Sequence, residues 1–222
     1  MTVEKFINAG VPSLLPGATA AQALDTMEDV LQAELAVVSV DGEFLGLARQ
    51  SLLEALPSDD IMLDQLPALG ENCAVVSGQH FFELLQKAAE CKTAIVAVLS
   101  NEGQYLGTVL MADLAQAMGQ NLSLNIPGGL LVLLVNERDY SLTEISRLVE
   151  SNDAKILNSF IEAEEDDPLK IRVSLRINQT DLSRIVNTFE RFGYIIAARY
   201  FKSDTPNLDK ERYDSLMRFL DV

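Results

Sequence analysis

The chain has 222 residues, 48% of them apolar and 23% charged, a core-forming mixture and not a disordered one. Its net charge of −16 argues against nucleic acid as a partner, because phosphate binding needs concentrated Lys and Arg. The longest apolar run, Leu130 to Val135, is far short of a bilayer span, so no membrane partner is expected either.

Met1 to Asn8 holds no apolar stretch resembling a secretory signal. The two cysteines, Cys73 and Cys91, are too few and wrongly spaced for a disulfide scaffold or a zinc site, and a cytoplasmic location is the expectation. Acidity is concentrated in the first half: residues 1–123 carry 4 Lys and Arg against 16 Asp and Glu, whereas residues 124–222 carry 13 against 17.

In chain order, a short apolar strand at Ser13–Leu15 leads through a glycine turn into a helix with Ala23, Leu24, Met27 and Leu31 on one face. A buried strand at Leu35–Val40, a tight turn at Asp41-Gly42 and a return strand at Phe44–Ala48 follow, then a short helix at Ser51–Leu56. The same grammar returns 61 residues later. A strand at Ala74–Val76 precedes a helix facing inward with Phe81, Leu84, Leu85 and Ala88; a strand at Ile95–Leu99 turns at Glu102-Gly103 into Tyr105–Leu110, and Ala112–Met118 closes the unit as a helix. Residues 17–46 align with 78–107 without a gap, placing Gly17 on Gly78, Leu24 on Leu85, Ala36 on Ala97, Gly42 on Gly103 and Gly46 on Gly107. Each unit reads β-α-β-β-α.

This order, together with the phrases EFLGLARQSLLEAL and QYLGTVLMADLAQAM, resembles a pair of CBS repeats, the Bateman module, with residues 1–57 and 58–122 as its two copies. The resemblance implies two pseudo-symmetric clefts that bind adenosine-type ligands, a hydroxyl three residues after a glycine for phosphate, and an aspartate six residues after it for ribose. Gly107 and Asp113 stand at that spacing, but Leu110 occupies the hydroxyl position. In the first copy Ser51 replaces the aspartate, with Arg49 nearby, and Ala97 completes the candidate ligand-binding set. Asp113 has a second reading as a carboxylate at a helix N-terminus, where the macrodipole favours negative charge. So acidic a half favours a weakly anionic or cationic ligand (AMP, adenosine or S-adenosylmethionine) over free ATP.

Asn121 to Gly129 is a turn-rich junction broken by Pro127-Gly128-Gly129. Beyond it come a strand at Leu130–Val135, a helix opened by a Ser141/Glu144 capping box with Leu142, Ile145, Leu148 and Val149 on one stripe, and a strand at Ala154–Ile161. An acidic loop (Glu162–Pro168) leads into Lys170–Ile177, which alternates strictly, with Lys170, Arg172 and Arg176 forming a cationic row on one face. A second helix, capped by Thr180 and stopped by Gly193, precedes a last strand at Tyr194–Phe201.

The order βαββαβ over residues 126–203 is ferredoxin-like, and its length and place after the repeats make it resemble an ACT domain. The arrangement and the phrase NERDYSLTEISRLVESNDAKIL resemble bacterial CBS–ACT proteins of the acetoin-utilisation type. The resemblance implies a small effector at the turn holding Arg138, Asp139 and Tyr140, which lacks the usual Pro-Gly. Residues 204–222 read as an amphipathic terminal helix with Tyr213, Leu216, Met217 and Leu220 on one stripe.

The sequence offers no catalytic parts. His80 is the one histidine, and no phosphate-loop or dinucleotide motif is present. The fold class expected is α+β: two CBS repeats, a ferredoxin-like ACT-like domain and a C-terminal helix. The function expected is non-catalytic metabolite sensing on behalf of a regulated protein not identified by the sequence, by a homodimer, with a constitutive scaffold that has lost its ligands as the alternative.

Overall fold

The computed structural model describes residues 1–66, 72–120 and 122–200; the terminal helix expected over 204–222 lies outside them. The chain divides into two units, Met1–Met118 and Gly119–Val222.

The first unit opens with β1 (Ile7–Asn8), then α1 (Ala20–Asp29), β2 (Glu34–Val38), β3 (Phe44–Arg49) and α2 (Gln50–Leu53). The second copy supplies β4 (Ala74–Val76), α3 (Phe82–Cys91), β5 (Ile95–Leu99), β6 (Tyr105–Leu110) and α4 (Met111–Gly119). Every paired position of the β2–β3 hairpin recurs 61 residues later in β5–β6: Glu34 opposite Arg49 becomes Ile95 opposite Leu110, and Val37 opposite Gly46 becomes Val98 opposite Gly107. Both hairpins carry the same register shift, between Val37 and Val38 and between Val98 and Leu99. Gly42 and Gly103, at φ 83° and 86°, supply the positive φ that each tight turn requires.

The copies are joined about their equivalent residues. Phe44 stacks on Tyr105, Glu43 pairs with Gln104 in an antiparallel bridge, and Tyr105 N donates to Gly42 O at 2.9 Å. Contacts between positions 61 apart are what a local two-fold axis produces. The segments leading into the copies are exchanged across it. Val3 is buried in the second copy's core with Val75, Leu84 and Val109, and β1 pairs with β6; Leu63 is buried in the first copy's core with Ala23, Met27 and Leu35.

Several local expectations give way to tertiary structure. The strand expected at Ser13–Leu15 is reduced to a single parallel bridge, Leu14 with Val37. Leu31 does not share the inward stripe of α1: it follows the helix at φ 54° and is 87% exposed. Leu85 is 40% exposed, because α3 buries a narrower stripe around Leu84. The cysteines, expected to be wrongly spaced for a disulfide scaffold, are joined in a Cys73–Cys91 disulfide with Cα atoms 6.0 Å apart. β4 lies parallel to β5, and α3 returns its C-terminal end beside the start of β4, so an 18-residue separation closes in space.

The second unit contains α5 (Leu122–Asn125), β7 (Gly129–Asn136), α6 (Leu142–Glu150), β8 (Ile156–Ala163), β9 (Lys170–Ile177), α7 (Ser183–Arg191) and β10 (Ile195–Tyr200). Its antiparallel sheet has the order β10-β7-β9-β8, the βαββαβ arrangement expected. Leu131, Leu133, Val173, Leu175 and Ile177 from the sheet pack against Ile145, Leu148, Ile185 and Phe189 from the two helices. At Gly128 any side chain would run into the carbonyl of Ile177, so Pro127-Gly128-Gly129 is a close backbone approach as well as a junction.

Two helix starts differ from the sequence reading. Ser141 accepts from Glu144 N at 3.3 Å, but the Glu144 carboxylate accepts from Tyr194 OH at 3.1 Å instead of returning to the cap. The complete capping box in the described residues is Thr19 with Gln22. Thr180 does not cap α7, which begins at Ser183, where Asp181 Oδ1 accepts from the Ser183 amide at 3.0 Å.

Candidate functional site

The residues singled out in the first unit fall at two places. In the second copy, Gly107 sits in β6 at φ 152°, against the side chain of Ile7, and a β-carbon there would overlap the Ile7 methyl. The next strand residue of the N-terminal segment, Asn8, donates from Nδ2 to Asp113 Oδ2 at 2.6 Å. Asp113 lies in the first turn of α4, so its carboxylate faces both the positive end of the helix and a neutral amide. Ala97, opposite Thr108 in β5, is fully buried and forms the floor of the sheet there. Thr108 is buried with its hydroxyl 2.7 Å from Tyr105 OH; burial raises the Tyr105 phenol above its ordinary pKa.

In the first copy the arrangement is different. Arg49 ends β3 and forms an ion pair with Glu34, 3.0 Å from Nε to Oε1, while its Nη2 donates to Cys91 O at 2.8 Å. Glu34 Oε2 accepts from Thr93 Oγ1 at 2.6 Å and Ala94 N at 2.9 Å. Arg49 therefore clasps the two copies together. Leu110, its equivalent in the second copy, packs on the apolar seam of Ala36, Val38, Leu47 and Ile95. Ser51 lies exposed on α2, away from this network. A hollow of about 580 Å³ beside α1 and α2 presents Asp25, Glu28 and Glu54, a lining that repels anions.

In the second unit the turn after β7 is a short 3-10 segment, Glu137–Asp139. It borders a cavity of about 280 Å³ whose polar wall comes from Asn136, Asp139, Glu144, Lys170 and Tyr194, with Phe192 and Ile195 as the apolar side. Asp139 lines it and accepts from Asn136 Nδ2 at 2.9 Å; Tyr140 packs on the core beside it, and Arg138 is exposed outside the lining. Burial, then the hydrogen bond to Glu144, pushes the Tyr194 phenol up to about 12. Glu144, Gly193 and Tyr194 were not candidates in the sequence. They come from separate elements, and only the sheet order β10-β7 and the packing of α6 bring them to one place.

The cationic row on β9 is engaged within its own domain. Lys170 Nζ pairs with Asp167 at 2.9 Å, Arg172 with Glu164 at 2.7 Å, and Arg176 Nη2 donates to the carbonyls of Leu124 and Ile126. The bond to Arg172 holds the Glu164 carboxyl below its ordinary range, and that to Lys170 does the same for Asp167. The acidic loop thus folds back on the row that follows it. Among the described residues no group of His, Cys, Asp and Glu is arranged to hold a metal, and no helix is long and apolar enough to cross a membrane.

No protein-family model and no curated protein matches the sequence. Solved structures do match the fold. A CBS domain pair/ACT domain protein from Thermotoga maritima superposes with a TM-score of 0.50 at 21% identity, covering 55% of this chain and 99% of that one. The CBS domains of a transcriptional regulator from Streptococcus pneumoniae superpose with a TM-score of 0.48 at 17% identity, covering 52% of this chain and 98% of that one. The chain has the fold of a tandem CBS pair followed by an ACT-like βαββαβ domain.

Proposed function

We propose that this protein is a non-catalytic regulator whose CBS pair senses an adenosine-type metabolite (AMP, adenosine or S-adenosylmethionine) and, as a homodimer, passes the signal to another protein. The supporting observation is the placement of Asp113 six residues beyond Gly107 on a CBS-pair fold, its carboxylate held by the Asn8 amide. A ribose diol is able to replace that amide without leaving a charge unpaired. Only Lys5, Arg49, Lys87 and Lys92 offset 16 acidic residues in this half, and Arg49 is already committed to Glu34 and Cys91. A polyphosphate is a poor fit to such a field; AMP or a cationic sulfonium is a better one.

Calorimetry in metal-free buffer tests this reading. Saturable binding of AMP or S-adenosylmethionine, tighter than that of ATP, is the expected result, and Asp113→Asn should weaken it by about tenfold or more. Tighter binding of ATP, or an Asp113→Asn chain with unchanged affinity, overturns it.

The cavity beside Asp139 and Tyr194 is the place for a small effector of the ACT-like domain, and its carboxylates suit one bearing an amine. A second reading, a scaffold without ligands, draws support from Leu110 in the hydroxyl position and from the Arg49 clasp. A thermal-shift screen of nucleotides and amino acids separates the two, since a ligand that binds only the native state raises stability.

A further inference from the structure

Cys73 and Cys91 are the only cysteines in the chain, and their disulfide lies at the seam between the copies. The sulfur-bearing residues are 0% and 6% exposed, packed with Ala36, Val38 and Leu47 of the first copy and Ile95 of the second. Neither cysteine has a counterpart 61 residues earlier, where Pro12 and Val30 stand. The polar clasp is just as one-sided: Glu34 and Arg49 correspond to Ile95 and Leu110. These two departures from the internal symmetry meet at one point. Cys91 ends α3 and gives its carbonyl to Arg49, and the next residues, Thr93 and Ala94, are bound by Glu34.

We propose that Cys73–Cys91 is a reversible dithiol–disulfide site that sets the grip of the first copy on the second. The chemistry is exchange with a low-molecular-weight disulfide, RS–SR. The Cys91 thiolate, on the less enclosed residue, attacks one sulfur and expels RS⁻, which leaves as RSH. The Cys73 thiolate then attacks the mixed disulfide and expels the second RS⁻. Protein dithiol and RS–SR become protein disulfide and two RSH, and a small dithiol reverses the reaction.

The consequence follows from packing. Two thiols cannot remain at bonding distance, and a close-packed seam has no room to absorb their separation. Cys73 is pinned by its carbonyl, which accepts from Ala97 N at 3.0 Å. The Cys91 end of α3 has to give way, and it carries Thr93 and Ala94 off Glu34. Oxidation closes the clasp; reduction loosens it.

The full chain, equilibrated in glutathione and dithiothreitol buffers and quenched with an alkylating reagent, reports thiol content by mass. Hydrogen exchange of the segment holding Ala94 is measured on each form. Reversible gain and loss of both thiols under native conditions, with exchange at Ala94 at least tenfold faster in the reduced form, is expected. Arg49→Gln should exchange fast in both buffers, and Cys91→Ala should lose all sensitivity to them. A disulfide that yields only after denaturation, thiols that never oxidise, or identical Ala94 exchange in both forms overturns the proposal.

Discussion

Phe44 and Tyr105 stack across the two CBS copies with ring centroids 6.4 Å apart and planes 12° from parallel, each standing at the same position of its own repeat. Their hairpins meet tip to tip, through the Glu43–Gln104 bridge, and the contact holds the first unit about its local two-fold. Truncating either ring removes half-buried apolar area and an aromatic pair at once. Phe44→Ala should cost about 2 kcal/mol, less than a full-core Phe deletion, of which about 1 kcal/mol is coupling to Tyr105. Urea unfolding of Phe44→Ala, Tyr105→Ala and the double variant measures both; strict additivity would show that the rings stack without mutual stabilisation.

Leu31 and Lys92 are equivalent residues, and both follow their helix in the left-handed region, at φ 54° and 50°. A β-carbon is strained there, and Leu31 buries little in exchange. Leu31→Gly is therefore expected to raise stability by roughly 1 kcal/mol, an unusual outcome for a glycine substitution. Leu31→Ala keeps the β-carbon and should give no such gain in thermal unfolding.

Glu4 anchors the N-terminal segment to the second copy. Its carboxylate accepts from Ser77 Oγ at 2.7 Å and from the amide of Gly78, and hydrogen bonds from Ser77 foremost, then its own amide, Thr2 and Gly78, hold its pKa down at about 2. Because the folded value lies below the ordinary 4.5, the stabilisation is complete above pH 4.5 and is lost as pH falls from there towards 2. The protection of amides 2–8, taken relative to their intrinsic exchange rates, should fall over that interval. In Glu4→Gln this pH dependence should vanish, and retention of it would assign the anchor elsewhere.

Tyr194 joins the cavity of the second unit to α6 through Glu144. With its phenol raised to about 12, the contribution of Tyr194 is intact below pH 10 and is lost between pH 10 and 12, where the unfolded chain ionises first. Ultraviolet titration of the wild type and of Tyr194→Phe should differ by the loss of one step past pH 11, Tyr105 remaining raised in both. The same variant should cost about 1 kcal/mol of stability through the lost hydrogen bond, measured by urea unfolding.

Much of this architecture is legible in the sequence because it is local or repeated. The Gly42 and Gly103 turns, the alternation of β9 and the stripe of Ile145, Leu148 and Val149 each follow from the backbone geometry of a few residues. The 61-residue self-similarity carries the pairing of the copies, since a unit with one apolar face needs a second to cover it. Where the reading failed, a distant partner had won over a near one. Glu144 turns from its cap to Tyr194, 50 residues away.

Sequence alone determined that one unit built on a helix, a hairpin and a short helix is repeated and that a βαββαβ domain follows, because hydrophobic period and turn chemistry act over one or two turns of chain. Only the tertiary structure decided that Cys73 meets Cys91, that Arg49 clasps the second copy and that Asp139, Glu144 and Tyr194 share a cavity. Those relationships depend on how strands order within a sheet and how helices settle on it, a choice governed by close packing among residues that no short window of sequence contains.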